Sequence, residues 1–313
     1  MSRAARPLPP AGAPSRARVA WRWTARLTIG AVVLLALTAA GAYGAFARHA
    51  ARRYDVPVHA LSVPRDSASV ARGAHIVASR GCVGCHGENL AGHVELDNPL
   101  IGRLAGPNLT RGGRGATLTD GDWERAVRHG VRRDGSPLFI MPAVEHTGMS
   151  DEDLGAIVAY ARSLPAQPNA PPLSRAGPVI LAMQAVGKVN LYSAAEIDHR
   201  RAHPAHVEPE PTARYGAYLA SMCTGCHGPR LSGGPIPGAP PDWKPAANIT
   251  PGGIGHYTEA DFMRALREGV RPSGAPIDSQ MPVRRITRHM DDTELRALYA
   301  YLHTLPARPY GGR

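Results

Sequence analysis

Apolar and polar positions follow two patterns along this chain. From Leu27 to Ala47 there are 21 consecutive positions without a charge, bounded by Arg26 and Arg48; a helix needs roughly 20 such residues to cross a bilayer. Further on, apolar residues recur at helical spacing in "SVARGAHIVASRG", "GDWERAVRHGV" and "DEDLGAIVAYARSL", as expected of amphipathic helices with one buried face. The same three patterns return in the same order as "ARYGAYLASM", "ADFMRALREGV" and "DTELRALYAYLHTL". Few residues read as strands, so the expected fold class is all-α.

The repetition sets the expected domain layout. Leu154 and Leu295, Tyr160 and Tyr301, and Pro165 and Pro306 are each 141 positions apart. Two copies of one module of about a hundred residues, an ordinary domain size, are predicted over 66–166 and 208–308. The intervening 167–207 is a Pro-rich connector around "VILAMQAVGKVNLYSAAEI". That piece is too apolar for free linker and is expected to pack across one module.

Charge changes this picture only at the N-terminus. The formal net charge is +11, but the first 53 residues hold nine arginines and no acidic residue. The remainder is close to neutral, so there is no electrostatic footprint for nucleic acid. Arginines ahead of the apolar run place residues 1–26 in the cytoplasm under the positive-inside rule, with 27–47 as a single transmembrane anchor and the rest outside. Trp21 and Trp23 stand where an interfacial aromatic belt would lie. A cleaved signal peptide competes with this reading, and the long leading segment and long apolar run argue against it.

Candidate chemistry is concentrated in two short stretches, "RGCVGCHGENL" and "SMCTGCHGPRL", which use all four cysteines. A disulfide or redox dithiol needs no following histidine, and a four-cysteine zinc site leaves both histidines unexplained. A C-x-x-C-H run fits covalent haem c: the cysteines add to the vinyl groups and the histidine ligates iron. Cys82, Cys85 and His86 are thus expected to hold one haem, and Cys223, Cys226 and His227 a second. Attachment of this kind happens outside the cytoplasm, which agrees with an exported chain. Aromatic residues make up only 5% of the chain, against 34 Gly and 30 Pro; a large rigid apolar cofactor makes so loop-rich a domain plausible.

Each module resembles a class I cytochrome c domain: helix, C-x-x-C-H, loop, helix, Met-Pro loop and C-terminal helix. The resemblance implies that the carbonyl of Pro107, in "AGPNL", accepts a hydrogen bond from His86, and it brings Asn108 and Asn248 into the haem surroundings. The second module reads "PAANI", with Ala247 in the proline's place. It also implies that Gly73 packs on Tyr160 and Gly216 on Tyr301.

The sixth iron ligand has two candidates per module. Met141 and Met281 lie 55 and 54 residues after the haem histidine, and Met149 and Met290 both lie 63 after it. Met149 precedes Ser150, Asp153 and Leu154, and Met290 precedes Asp291, Glu294 and Leu295, which reads as a capping box with a hydrophobic staple. The Met-Pro residues, Met141 and Met281, match the family's ligand position and are the expected axial ligands, their soft sulfur favouring reduced iron.

Two saturated irons point to electron transfer between redox partner proteins rather than to a haem enzyme of the di-haem peroxidase kind. The "MP", "SDEDL" and "AYARSLP" pattern resembles the cytochrome subunits of membrane-bound alcohol and gluconate dehydrogenases, which usually carry three haems; a di-haem subunit of a terminal oxidase is the other membrane-anchored option. The expected location is a bacterial cytoplasmic membrane with the haem domains in the periplasm. His199, His203 and His206 sit in a Pro-containing connector and are read as solvated.

Overall fold

The structure is a computed structural model that describes residues 16–240 and 242–312. Residues 1–15 of the expected basic tail lie outside the described residues. The apolar run forms part of one helix, α1 (Arg16–Ala51), in which no residue is buried. Its 36 residues extend about 54 Å at 1.5 Å per residue. Phe46 fastens its end to the first domain, its ring centroid 6.4 Å from that of Phe139 and 5.7 Å from that of Tyr192.

The first domain starts at α2 (Ser67–Ser79), where the Asp66 side chain accepts from the Ser69 N–H. The short helix α3 (Cys82–His86) follows. Beyond it come two strands, β1 (His93–Asn98) and β2 (Gly102–Gly106). Next is α4 (Asp120–Glu124), entered through a complete Thr119–Asp122 capping box and continued as a π-helical turn, Arg125–His129. The domain closes with α5 (Asp151–Ser163). Its core is α2 laid across α5, with Ile76 and Val77 on one side and Leu154, Ile157 and Val158 on the other.

The connector contributes β3 (Arg175–Ala176) and α6 (Pro178–Ala185). The second domain repeats the plan with α7 (Ala213–Leu219), α8 (Thr224–His227), α9 (Pro251–Ile254), α10 (Glu259–Glu268) and α11 (Asp292–Thr304). Here α7 crosses α11 over Leu219, Leu295, Leu298 and Leu302.

The fold is mostly helical, and the all-α expectation is corrected at one place. β1 and β2 form an antiparallel hairpin, His93 opposite Gly106 and Asn98 opposite Gly102, with β3 as third strand. The middle positions of β1 are exposed and those of β2 are only half-buried, so no buried alternation marks the hairpin in the sequence. At the matching place in the second domain the described residues form only an isolated bridge, Gly234 to Ala246. Pro235, Pro237, Pro240, Pro241 and Pro245 lie between and cannot donate to a ladder.

The connector also departs from expectation, because its apolar piece divides. α6 lies along α1 with none of its own residues buried. Leu191, Tyr192, Ala194 and Ile197 are buried on the first domain, where the Leu191 carbonyl accepts from Ile140 N–H at 2.8 Å.

Candidate haem centres and the contact between them

Both C-x-x-C-H runs are short helices closed by glycine, and in both a backbone carbonyl fixes the histidine ring. His86 Nδ1–H donates to the Pro107 carbonyl at 3.0 Å, and His227 Nδ1–H to the Ala247 carbonyl at 2.7 Å. With Nδ1 protonated in this way, Nε2 carries the lone pair a metal requires. Loss of proline in the second domain therefore leaves the acceptor in place. Gly106 makes the first arrangement possible, since a Cβ there would overlap the Cys85 carbonyl and push the 106–107 backbone away from His86.

In each run the two cysteines and the histidine stand on or at the start of one short helix, the arrangement that attaches a single haem. Burial pushes the Cys82 thiol up to about 11 and that of Cys223 up to about 12. Among the described residues no cysteine joins a metal-binding cluster or a disulfide. Two cysteine sulfurs to bond the vinyl groups and one ring nitrogen of set tautomer to bond iron are what covalent haem requires.

Asn108 and Asn248 hold the chain. Asn108 Nδ2 donates to the Gln167 and Asn169 carbonyls, both at 2.8 Å, while its Oδ1 accepts from the N–H and hydroxyl of Thr110. Asn248 does the same for the Arg308 carbonyl and Thr250. All four hydrogen-bonding positions of Asn108 are thereby used. Each asparagine ties the segment after the haem helix to the chain leaving the domain's last helix.

The two methionine pairs occupy different surroundings. Met149 and Met290 are only 4% and 3% exposed and belong to the same core clusters as Leu154 and Leu295. Asp291 and Glu294 form the complete capping box, whereas Ser150 caps α5 alone, because Asp153 is engaged by Arg72 and Tyr218. Met141 and Met281 are half-buried in loops of one shared shape. Their carbonyls accept from the N–H two residues on, Ala143 at 2.8 Å and Val283 at 2.7 Å, a γ-turn. Ser193 Oγ donates to the Met141 carbonyl at 2.6 Å, so the connector steadies the first loop.

What the single-module reading missed is that the domains exchange contacts at their haem helices. Glu145, just after Met141, fills the space beside Gly225 of α8. Ile286, just after Met281, fills the space beside Gly81, 2.7 Å from where a Cβ would stand. Burial pushes the Glu145 carboxyl up to about 7. A second reciprocal pair lies at the last helices: Tyr218 donates to Asp153 at 2.6 Å, and His75 Nε2–H to Glu294 at 2.9 Å. Tyr218 stands two residues after Gly216 and His75 two after Gly73, so these are one contact made twice. Arg80 adds a bond to the Leu219 carbonyl at 3.1 Å while lying over the Tyr218 ring.

This contact gives a pH dependence. The hydrogen bond to Glu294 raises the pKa of His75 against the opposing effect of burial. The contribution to stability is full below the ordinary imidazole value of about 6.5 and is lost as pH rises through the raised value. The thermal midpoint should therefore fall with rising pH across this window, and His75→Gln should flatten the fall. An unchanged slope in the variant would assign the pH dependence elsewhere.

Comparison with known proteins follows the same two-part division. Residues 213–306 match a family described as cytochrome c, and residues 68–160 one described as cytochrome c oxidase, cbb3-type, subunit III. The chain is 31% identical over 280 residues, 78% of its length, to the cytochrome c subunit of alcohol dehydrogenase (quinone) from Gluconacetobacter polyoxogenes, covering 57% of that protein. It is 29% identical over 280 residues to the cytochrome c subunit of gluconate 2-dehydrogenase from Pantoea cypripedii, covering 78% of this chain and 61% of that one. For the fructose dehydrogenase cytochrome subunit of Gluconobacter japonicus the identity is 26% over 279 residues, covering 78% and 54%. The chain thus spans little more than half the length of these relatives.

Proposed function

We infer, from the premise that this chain carries two cytochrome c domains, that it is an electron-transfer subunit held at the outer face of a bacterial cytoplasmic membrane. In this reading α1 is an uncleaved single-pass anchor and the tandem domains 66–166 and 208–308 stand in the periplasm. Cys82, Cys85 and His86 hold one haem and Cys223, Cys226 and His227 the other, with Met141 and Met281 as the sixth ligands. Each haem, when bound, supplies an iron that takes up and gives back one electron. The Pro107 and Ala247 carbonyls orient the histidine rings, and the γ-turns present the methionine sulfurs.

The observation that carries this reading is the reciprocal contact, Glu145 against α8 and Ile286 against α3. Each domain's methionine loop borders the other domain's haem helix, so the two centres share one interface and an electron can pass between them inside the chain. The electron donor is proposed by likeness to the relatives, whose names make them cytochrome subunits of alcohol, gluconate and fructose dehydrogenases.

The test is purification of the full chain from its own membranes in mild detergent. A dehydrogenase subunit should accompany it, and both haems should become reduced when that enzyme's substrate is added. Co-purification of oxidase core subunits without a dehydrogenase would move the assignment to a terminal oxidase. A fully soluble mature protein beginning within residues 40–47 would remove the anchor.

A further inference from the structure

The histidines of the connector, read in sequence as solvated, do not behave alike. His206 is exposed and paired with Glu152 and Glu208. His199 and His203 turn inward onto the π-helical end of α4, where Glu124 and His129 are both fully buried. Five residues apart in a regular α-helix, two side chains diverge by about 140°. The wider π turn at Arg125–His129 brings them to one side. The corresponding helix of the second domain, α10, is regular and carries Met263 and Glu268 at these positions. The arrangement is therefore not something the shared fold requires.

We propose that Glu124, His129 and His203 form a site for one divalent transition-metal ion, of which zinc is the natural test. One ligand atom from each lies within 4.8 Å of the other two, a spacing one ion can span. A chain of hydrogen bonds settles the protonation of His129. His199 Nε2–H donates to the Ala194 carbonyl at 3.0 Å, which leaves His199 Nδ1 as acceptor. His129 Nδ1, 3.1 Å from it, must then be the donor. His129 Nε2 is left as a lone pair, shielded from solvent, with no partner. This is the pattern of metal-ligating histidine, whose other ring nitrogen donates to a neighbouring acceptor. Neither shielded nitrogen of His203, which lies against the Thr147 backbone, makes a hydrogen bond of ordinary geometry.

Charge and ligand type agree with this assignment. Arg128 approaches Glu124 Oε1 at 3.4 Å, but it bonds more closely to Asp151 and the Met149 carbonyl, both at 2.7 Å. Asp151 thus balances the guanidinium and leaves the Glu124 charge for a cation. Glu124 Oε2 accepts from the His59 backbone N–H at 2.8 Å and keeps a second lone pair. His59 Nδ1 sits 3.1 Å from Oε1 with its ring largely in solvent. Two imidazoles and a carboxylate suit zinc. An ion here would bind the connector, and with it the second domain, to the first domain's central helix.

The test uses the full-length di-haem protein in detergent, stripped with a chelator, incubated with zinc, desalted and assayed for both metals. One zinc per two irons should be retained. His203→Gln and Glu124→Gln should each weaken zinc binding by at least about 100-fold while the haem absorbance stays intact. The zinc-edge X-ray spectrum should show nitrogen and oxygen neighbours without sulfur. Should Glu124→Gln fail to fold, His203→Gln, on the surface connector, decides. Failure of the wild-type protein to retain zinc, or equal retention by the variants, overturns the site and leaves these side chains to water.

Discussion

Met281→Ala should abolish its haem's share of the far-red sulfur-to-ferric-iron absorption, lower that haem's potential and open it to carbon monoxide, which the reduced wild-type protein should hardly bind. Removal of a soft thioether destabilises the reduced iron, which sets the sign of the potential change. The fold should survive, because Met281 is only half-buried in a loop and the thioethers still restrain the ring. Met290→Ala should leave the spectrum and potential alone and reduce stability by about 2–5 kcal/mol, the usual cost of truncating a buried methionine. Met290 is 3% exposed and packs in the cluster that contains Leu295, so its sulfur is already enclosed by side chains. Met141 and Met149 should divide in the same way. Loss of the band in Met290→Ala or Met149→Ala would show that the equal 63-residue spacing marked the ligand.

How much of this could be read from the chain depends on the range of the interaction. The entrance of α11 was legible because a capping box is local, Asp291 and Glu294 acting across one turn; at α5 the Ser150 cap was legible in the same way, while the reciprocal bond expected of Asp153 is lost to Arg72 and Tyr218. The contacts of Gly73 and Gly216 with their aromatic partners are long-range, yet the resemblance implied them for both modules. The hairpin was not legible, since β1 faces solvent along its middle, β2 is only half-buried there, and neither shows a buried alternation. The π turn was hidden too, because "ERAVRHG" has the composition of an ordinary helix. Its distinguishing sign is Glu124 with His129, where the second copy has Met263 with Glu268. Contacts between domains, such as Glu145 against Gly225, involve residues that have no pattern in either module alone.

Gly216→Ala should lower the thermal midpoint of the holoprotein by more than about 10 °C, as a loss of about 3 kcal/mol does in a domain of this size. By helix propensity alone the change would stabilise α7 by about 1 kcal/mol. Packing opposes this, because a Cβ at Gly216 would stand 2.6 Å from Tyr301 Cβ and closer still to the Ala297 carbonyl. The carbonyl is backbone within α11 and cannot rotate away. Relief requires α7 and α11 to separate, which loosens Leu219, Leu295 and Leu298, all at most 2% exposed. Overpacking of this kind costs about 1–3 kcal/mol and sometimes more, and a clash with backbone belongs at the upper end. Gly73→Ala meets the Ala156 carbonyl and Tyr160 in the same way and should cost as much. Gly148→Ala is the control, since a Cβ there meets nothing within 4 Å, and its midpoint should stay at the wild-type value. If Gly216→Ala melts with the control, the helices have slack at their crossing, and the close approach of α7 to α11 is not what holds the second domain together.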